Sequence, residues 1–123
     1  MPTVLIIEDD PNVCKFITVN LSQRGYHTFT ATHGKEGLAR AHAERPDLIL
    51  LDLRLLGADG WVTLETLRAD PDLIGIPVVV ITASAVKEEE RQARQLGAVD
   101  YLIKPVGVRQ LLAAVRAALG EEE

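Results

Sequence analysis

The amino-acid sequence predicts a single α/β domain in which helices cover both faces of a parallel β-sheet. Short apolar runs alternate with longer segments of helical periodicity along the whole chain. The apolar runs are also continuous, which is typical of parallel strands buried on both faces. Because crossovers between parallel strands are right-handed, the alternation predicts a doubly wound sheet of five strands with five helices.

Five short runs are the predicted strands. They are rich in Val, Ile, Leu and Thr, and charged residues, glycine or proline stand close to their ends. Their ranges are 3–7, 27–31, 48–51, 78–82 and 101–103. Each strand is followed by a segment with helical periodicity.

These five segments repeat apolar residues every three or four positions and are the predicted helices. Their ranges are 11–24, 35–44, 61–69, 87–96 and 108–119. The predicted apolar stripes of the first three comprise Val13, Phe16, Ile17 and Leu21, then Leu38, Ala41 and His42, then Val62, Leu64 and Leu67. Asp10 before Pro11 is the pattern of an N-cap followed by proline at the first helical position. The fourth helix carries a charge run with a favourable i,i+4 pair, Glu90 and Arg94.

Length and composition limit the class of protein. The chain has 123 residues, of which 47% are hydrophobic and 25% charged, so we expect one domain over 1–123 with an ordered core of about 3–119 and an acidic tail at 121–123. Thirteen basic against eighteen acidic residues give a net charge of −5, which argues against a nucleic-acid-binding surface.

The same sequence indicates a compartment. Four apolar residues precede the first acidic residue without a basic segment, so a secretory signal is not expected, and no apolar run is long enough to cross a membrane. The one cysteine, Cys14, has no partner for an intrachain disulfide. We therefore expect a cytoplasmic protein in which Cys14 is a small hydrophobic residue.

Polar residues cluster where the predicted strands end. Parallel strands bring their carboxyl ends to one edge of the sheet, so residues that follow different strands meet there. The residues at these ends are Glu8, Asp9, Asp10, Asp52, Thr82 and Lys104. Clustered carboxylates repel one another unless a cation neutralises them, and oxygen ligands suit Mg²⁺. Taken together, these residues predict a site rather than separate structural roles.

Phosphoryl transfer to a carboxylate needs this set of groups. The reaction uses a nucleophilic Asp, a metal that joins it to the incoming phosphoryl group, and a lysine and a hydroxyl that bind phosphoryl oxygens. Asp52 is central among the strand ends, which predicts that it is the nucleophile.

The chain resembles the receiver domain of two-component response regulators over almost its whole length. The stretches that carry the resemblance are 4–11 (VLIIEDDP), 46–53 (PDLILLDL), Asp59-Gly60, 78–83 (VVVITA), Gly97-Ala98 and 101–105 (YLIKP). Each motif alone is weak, but together they stand in order at the expected strand ends. The resemblance implies a flavodoxin-like sheet with strand order 2-1-3-4-5.

The resemblance also implies a role for each matching residue. Asp52 is similar to the phosphoacceptor, and Glu8 and Asp9 to the acid pair that holds Mg²⁺ or Mn²⁺, Glu8 through water. Arg54 is at the position that lends its backbone carbonyl to the metal. Thr82 and Lys104 are similar to the residues that bind the phosphoryl oxygens. Tyr101 is similar to the aromatic that turns inward when the hydroxyl residue moves, and the Lys104–Pro105 bond is expected to be cis.

Partners follow from the resemblance as well. A sensor histidine kinase or a phosphotransfer protein is the expected phosphodonor, and a homodimer through the fourth helix, fifth strand and fifth helix is an expected assembly. Leu56 and Val106 depart from the commonest residues of the family. The Arg54 side chain either covers the phosphoryl group or points into solvent, and the sequence leaves both interpretations open.

Three other classes compete with this interpretation. A phosphatase of the haloacid-dehalogenase type needs a second acid two residues after the nucleophile, where Arg54 stands. A nucleotide-binding domain needs a glycine-rich loop after the first strand, where Glu8 and its acidic neighbours would repel phosphate. The third alternative is a pseudo-receiver that keeps the fold without being phosphorylated.

Overall fold

A computed structural model describes residues 1–55 and 59–121 of the chain. Within these residues, five strands and five helices alternate along the sequence, as predicted. The strands are β1 (Thr3–Ile7), β2 (His27–Ala31), β3 (Leu48–Leu51), β4 (Val78–Thr82) and β5 (Asp100–Ile103). The helices are α1 (Pro11–Ser22), α2 (Gly34–Glu44), α3 (Asp59–Ala69), α4 (Lys87–Gln95) and α5 (Val108–Ala118).

The strands form one sheet in the order β2-β1-β3-β4-β5. All four neighbouring pairs are parallel. The doubly wound α/β fold and its strand order are therefore confirmed. β1 and β3 lie in the centre of the sheet, so the residues that follow them, which begin at Glu8 and Asp52, leave the sheet side by side.

Alternate residues of the central strands pack on opposite faces of the sheet. Leu5 and Ile7 of β1 belong to a cluster with Leu64 and Leu67 of α3 and with Ala93 of α4. On the other face, the residues of the same strand pack with α1 and α5. This second cluster includes Val4, Ile6, Ile17, Leu21, Leu111 and Val115. Both faces are buried, which explains why β1, β3 and β4 are continuously apolar.

The ends of the helices follow local signals. The Asp10 side chain accepts hydrogen bonds from the Asn12 and Val13 amides at 2.9 and 3.4 Å, which confirms it as the N-cap of α1. α1 ends at Ser22, two residues before the predicted end. The turn that follows contains Gly25 with φ of +88°, a conformation that favours glycine.

Two predicted core residues are exposed instead. Val62 is 54% exposed because the buried stripe of α3 consists of Gly60, Thr63, Leu64 and Leu67, spaced i, i+3, i+4 and i+7. Thr63 tolerates burial because its hydroxyl donates to the Asp59 carbonyl at 2.7 Å. His42 lies beside the buried stripe of α2, and its Nε2 is 2.8 Å from Asp70 Oδ2. The predicted core position was wrong for Val62, and His42 lies at the surface beside the stripe.

None of the helices among the described residues combines the length and apolar character needed to cross a membrane.

The predicted acidic tail begins with an ordered contact. Glu121, predicted to begin the tail, accepts a hydrogen bond of 2.6 Å from the Tyr26 hydroxyl. The departure at Leu56 and the tail residues Glu122 and Glu123 lie outside the described residues.

Candidate functional site

The strand ends bring the predicted site residues together. Ile7 and Leu51 are partners in the register of β1 and β3, and the Asp52 amide donates to the Ile7 carbonyl at 3.0 Å. Glu8 and Asp52 therefore leave the sheet next to each other. On the neighbouring pair of strands, the Lys104 amide donates to the Thr82 carbonyl at 2.8 Å. Parallel pairing thus places an acidic group and a basic group along one edge.

Three carboxylates converge at this edge. Glu8, Asp9 and Asp52 each offer an oxygen atom, and these atoms lie within 4.8 Å of one another. Glu8 and Asp52 are only 3% and 4% exposed, whereas Asp9 is exposed. Burial strengthens the repulsion between like charges because solvent screens them less. The cluster therefore requires positive charge nearby.

Lys104 supplies part of that charge. Its Nζ atom lies 2.8 Å from Glu8 Oε1 and 2.9 Å from Asp52 Oδ2, so it joins the two buried carboxylates. One ammonium group against three carboxylates leaves the cluster with an excess of negative charge when all are ionised. The Lys104–Pro105 peptide bond that follows is cis, as expected.

The pKa values of this pair reflect their burial. Desolvation raises the pKa of Glu8 to about 7, although hydrogen bonds from Lys104 and the Asp10 amide act in the opposite direction. Burial acts to lower the pKa of Lys104, but hydrogen bonds to Glu8 and Asp52 outweigh it and raise that pKa. Lys104 therefore remains protonated at neutral pH, whereas the raised pKa means that the Glu8 carboxyl ionises only near neutral pH.

A divalent cation fits this arrangement. Mg²⁺ and Mn²⁺ prefer oxygen ligands, and two buried carboxylates with one exposed carboxylate provide them within a small volume. Asp9 is open to solvent, which leaves room for the waters that Mg²⁺ retains. The donor set therefore matches the predicted metal.

The backbone holds Asp52 in place. The Arg54 amide donates to Asp52 Oδ1 at 2.8 Å, which leaves Oδ2 for Lys104. The first turn of α3 packs closely on this segment, because a Cβ atom at Gly60 would lie 2.5 Å from the Asp52 carbonyl oxygen. Gly60 is thus required for this approach, and Asp59 beside it accepts a hydrogen bond of 2.6 Å from the Gly34 amide.

Thr82 has a hydroxyl without a partner among the described residues. The residue is fully buried, and its Oγ1 atom makes no hydrogen bond within the described part of the chain. Buried hydroxyl groups are normally hydrogen-bonded, because burial without a partner costs free energy. Thr82 therefore carries a binding capacity that residues 1–55 and 59–121 do not use.

Tyr101 differs from the sequence expectation in its position. Its ring is 6% exposed, and its hydroxyl donates to the Ser84 carbonyl at 3.1 Å. The expected inward position is thus already present in this structure. Any role of Tyr101 in switching must start from this hydrogen bond.

The Arg54 side chain forms an ion pair that the sequence did not predict. Its Nη2 atom lies 3.1 and 3.2 Å from the two carboxylate oxygens of Glu89 in the first turn of α4. The two residues are 35 positions apart, so local periodicity gave no signal for the contact. The acidic residues at 88–90 were visible in the sequence, but nothing selected Glu89 among them.

Comparison with known proteins identifies the family. The sequence matches the family described as the response regulator receiver domain over residues 4–116. The chain belongs to this family. The receiver domain is 42% identical over 97% of its length to the DNA-binding dual master transcriptional regulator RpaA of Synechocystis sp., of which it spans 49%. It is 32% identical over 97% of its length to protein PilH of Pseudomonas aeruginosa, of which it spans 98%.

Solved structures show the same fold. A putative response regulator from Chloroflexus aurantiacus superposes with a TM-score of 0.91 at 29% identity, covering 98% of both chains. The Mn(2+)-bound form of response regulator Rcp1 superposes with a TM-score of 0.81 at 27% identity, covering 95% of this chain and 91% of that one. The receiver domain thus spans about half the length of relatives such as RpaA and nearly all of others.

Proposed function

We propose that this receiver domain accepts a phosphoryl group on Asp52 in a reaction that depends on Mg²⁺. The observation that carries the proposal is the environment of Asp52. Its buried carboxylate shares Lys104 with Glu8 and lies at the same edge as the buried Thr82 hydroxyl, which has no partner among the described residues. These groups are the nucleophile and the phosphoryl ligands that such a transfer needs.

The proposed donor is a phosphohistidine of a sensor kinase or of a phosphotransfer protein. An Asp52 oxygen forms the bond to phosphorus as the bond between phosphorus and the histidine nitrogen breaks. The released imidazole then takes up a proton. The Arg54 amide orients the Asp52 carboxylate during attack, since it already donates to Oδ1.

Glu8, Asp9, Asp52 and the Arg54 backbone carbonyl are the proposed metal ligands. When bound, Mg²⁺ or Mn²⁺ supplies positive charge that offsets the carboxylates and the entering phosphoryl oxygens. The convergence of three carboxylate oxygens within 4.8 Å supports this assignment. The Mn(2+)-bound state of Rcp1, a structure of the same fold, also supports it.

Lys104 and Thr82 are the proposed ligands of the phosphoryl oxygens. Lys104 forms ion pairs with Glu8 and Asp52. It can therefore direct one of its N–H donors to a phosphoryl oxygen without moving far. Thr82 has a hydroxyl proton available, because none of the described residues accepts it. Thr82 lies on β4, which pairs with β5, so movement of Thr82 toward the phosphoryl group would alter the face formed by α4, β5 and α5.

The remaining expectations belong to the same proposal. The domain modifies itself and does not turn over a substrate, so it acts as a signalling phosphoacceptor in the cytoplasm. One receiver domain over 1–123 is the proposed unit. A homodimer through α4, β5 and α5 is the proposed assembly, and the domain itself contacts neither nucleic acid nor membrane.

Intact-mass measurement tests the proposal. The protein is incubated with acetyl phosphate and Mg²⁺, and we expect a gain of one phosphoryl group that Asp52→Asn abolishes. Asp52→Asn keeps the shape of the side chain but removes the nucleophilic carboxylate. Asp72→Asn is the matched control, because Asp72 is an exposed aspartate in the turn after α3.

Two outcomes would contradict this assignment. A parent protein that gains no phosphoryl mass would favour the pseudo-receiver, a binding module with the same fold. A gain in Asp52→Asn as fast as in the parent would place the modification on another residue.

A further inference from the structure

Arg54 connects the predicted phosphoacceptor to α4. Its amide donates to Asp52 Oδ1 at 2.8 Å, while its guanidinium lies 3.1 Å from Glu89 Oε1. The residue therefore touches the site through its backbone and the first turn of α4 through its side chain. A long, flexible side chain anchored in this way can reach an anion on either side.

The contact between Arg54 and Glu89 is easily broken. The two side chains are 54% and 27% exposed, and a single guanidinium nitrogen serves both carboxylate oxygens. Exposed ion pairs contribute little to stability, because solvent screens them and two long side chains must be ordered. A stronger anion close to Arg54 could therefore displace Glu89.

The first turn of α4 has few other attachments. Its N-cap residue, Val86, provides no side-chain hydrogen bond, and Ala93 is the buried residue of the helix. Helix ends without a capping side chain leave amide groups to be satisfied by water. The ion pair with Arg54 is thus a side-chain contact that fastens this turn to the segment after β3.

We propose that Glu89 and a phosphoryl group on Asp52 compete for the guanidinium of Arg54, so that phosphorylation releases the first turn of α4. The inference rests on the proposed function, because it requires an anion on Asp52. Glu89 acts through Arg54 and is a positioning residue.

The amount of negative charge determines which anion the Arg54 guanidinium binds. Glu89 offers one negative charge in a partly buried position, whereas a phosphoryl group brings between one and two negative charges and three acceptor oxygens. Guanidinium groups form charge-assisted and often bidentate hydrogen bonds with phosphate oxygens, whereas a single Arg54 nitrogen serves Glu89. Arg54 already has its backbone at Asp52, so only its side chain must rotate.

Transfer of Arg54 also affects the lifetime of the modification. In hydrolysis, a water oxygen forms a bond to phosphorus as the bond to the Asp52 oxygen breaks, which releases inorganic phosphate and restores the carboxylate. Arg54 over the phosphoryl group would occupy part of the space that water must enter. Glu89 shortens the lifetime by withdrawing Arg54 from that position.

Binding of beryllofluoride, a phosphoryl mimic, provides the direct test. The affinity is measured by ¹⁹F NMR with Mg²⁺ present, for the parent, Glu89→Gln, Arg54→Ala and the double variant. Glu89→Gln removes the competitor with little change of shape, and we expect it to bind about threefold more tightly than the parent. Arg54→Ala is expected to bind more weakly, and Glu89→Gln should have no further effect in that background.

Glu88→Gln is the matched control. Glu88 precedes Glu89 in the same turn and carries the same charge, but its carboxylate pairs with Arg91 at 2.6 Å. It therefore reports the general effect of removing one negative charge from α4. The same increase in affinity for Glu88→Gln and Glu89→Gln would overturn the inference.

Hydrogen exchange at amides 86–92 supplies a readout that general electrostatics would not reproduce. Beryllofluoride should accelerate exchange in the parent, because α4 loses Arg54. Glu89→Gln should exchange at the accelerated rate without the mimic and show no further increase when it is added.

The outcomes separate the two proposals. If the parent binds beryllofluoride and gains a phosphoryl group on Asp52, but Glu89→Gln equals the parent in both experiments, only the competition is refuted. If the parent neither binds the mimic nor gains the phosphoryl mass, the proposed function and the competition are both refuted.

Discussion

Polar groups are paired differently at the two ends of the strands, here called the amino edge and the carboxyl edge of the sheet. At the amino edge, the Thr3 amide donates to Asp47 Oδ2 at 2.7 Å, and the Tyr26 hydroxyl donates to Glu121 at 2.6 Å. Each of these acceptors is matched by a donor of the fold. At the carboxyl edge, two buried carboxylates share one lysine, and the Thr82 hydroxyl has no partner within the described residues.

This difference separates polar groups that stabilise the fold from polar groups that are available to a ligand. Buried polar groups without partners, and like charges held together, cost free energy. A protein retains them where a bound cation or anion supplies the missing interaction. Substitutions at the amino edge should therefore reduce stability, whereas substitutions at the carboxyl edge should mainly reduce binding.

The largest expected effect concerns the metal. Asp9→Ala should lower the affinity for Mg²⁺ at least about tenfold, because it removes a hard oxygen ligand from the cluster. Isothermal titration calorimetry measures this affinity. Asp10→Asn removes the same charge from the neighbouring residue but can still cap α1, so it should change the affinity much less. Equal affinities for Asp9→Ala and the parent would remove Asp9 from the metal site.

A smaller effect is expected at Thr82, and its sign is diagnostic. Thr82→Val replaces a buried, unpartnered hydroxyl by a methyl group, so the free energy of unfolding should rise by about 1 kcal/mol. Thr63→Val is the matched substitution in the core, where the hydroxyl donates to the Asp59 carbonyl at 2.7 Å. It should instead lower the free energy of unfolding by about 1 kcal/mol.

Urea denaturation of the two valine variants gives both values. A loss of stability in Thr82→Val comparable to that in Thr63→Val would mean that Thr82 is an ordinary structural residue. In functional terms, Thr82→Val should still accept a phosphoryl group, but hydrogen exchange over residues 84–106 should respond to it less than in the parent.

The smallest effect is expected at the amino edge. Asp47→Ala removes the acceptor of the Thr3 amide and of the Thr3 hydroxyl, at 2.7 and 3.2 Å. Because these groups are exposed and water can replace the carboxylate, we expect a loss of only about 0.5 kcal/mol in unfolding free energy. Phosphoryl incorporation, followed by intact mass, should equal that of the parent. A slower reaction would show that the two edges are not independent.

Local patterns in the sequence were sufficient for the elements and for the location of the site. The mainly apolar runs predicted β1, β3 and β4 with their observed bounds, because burial on both faces favours apolar residues throughout such strands. The rule that parallel strands end at one edge was enough to bring Glu8, Asp52 and Lys104 together. Each of these inferences depends on neighbours in sequence or on the topology.

The tertiary structure decided which side chains meet. It placed Thr63 in the core where Val62 was predicted, since the direction of a helix stripe depends on how the helix packs. It also joined Arg54 to Glu89 and the Tyr101 hydroxyl to the Ser84 carbonyl. Such contacts depend on distances between segments far apart in the chain, about which periodicity and spacing carry no information. The sequence alone therefore determined the fold and the chemical groups of the site, and tertiary packing determined how those groups are paired.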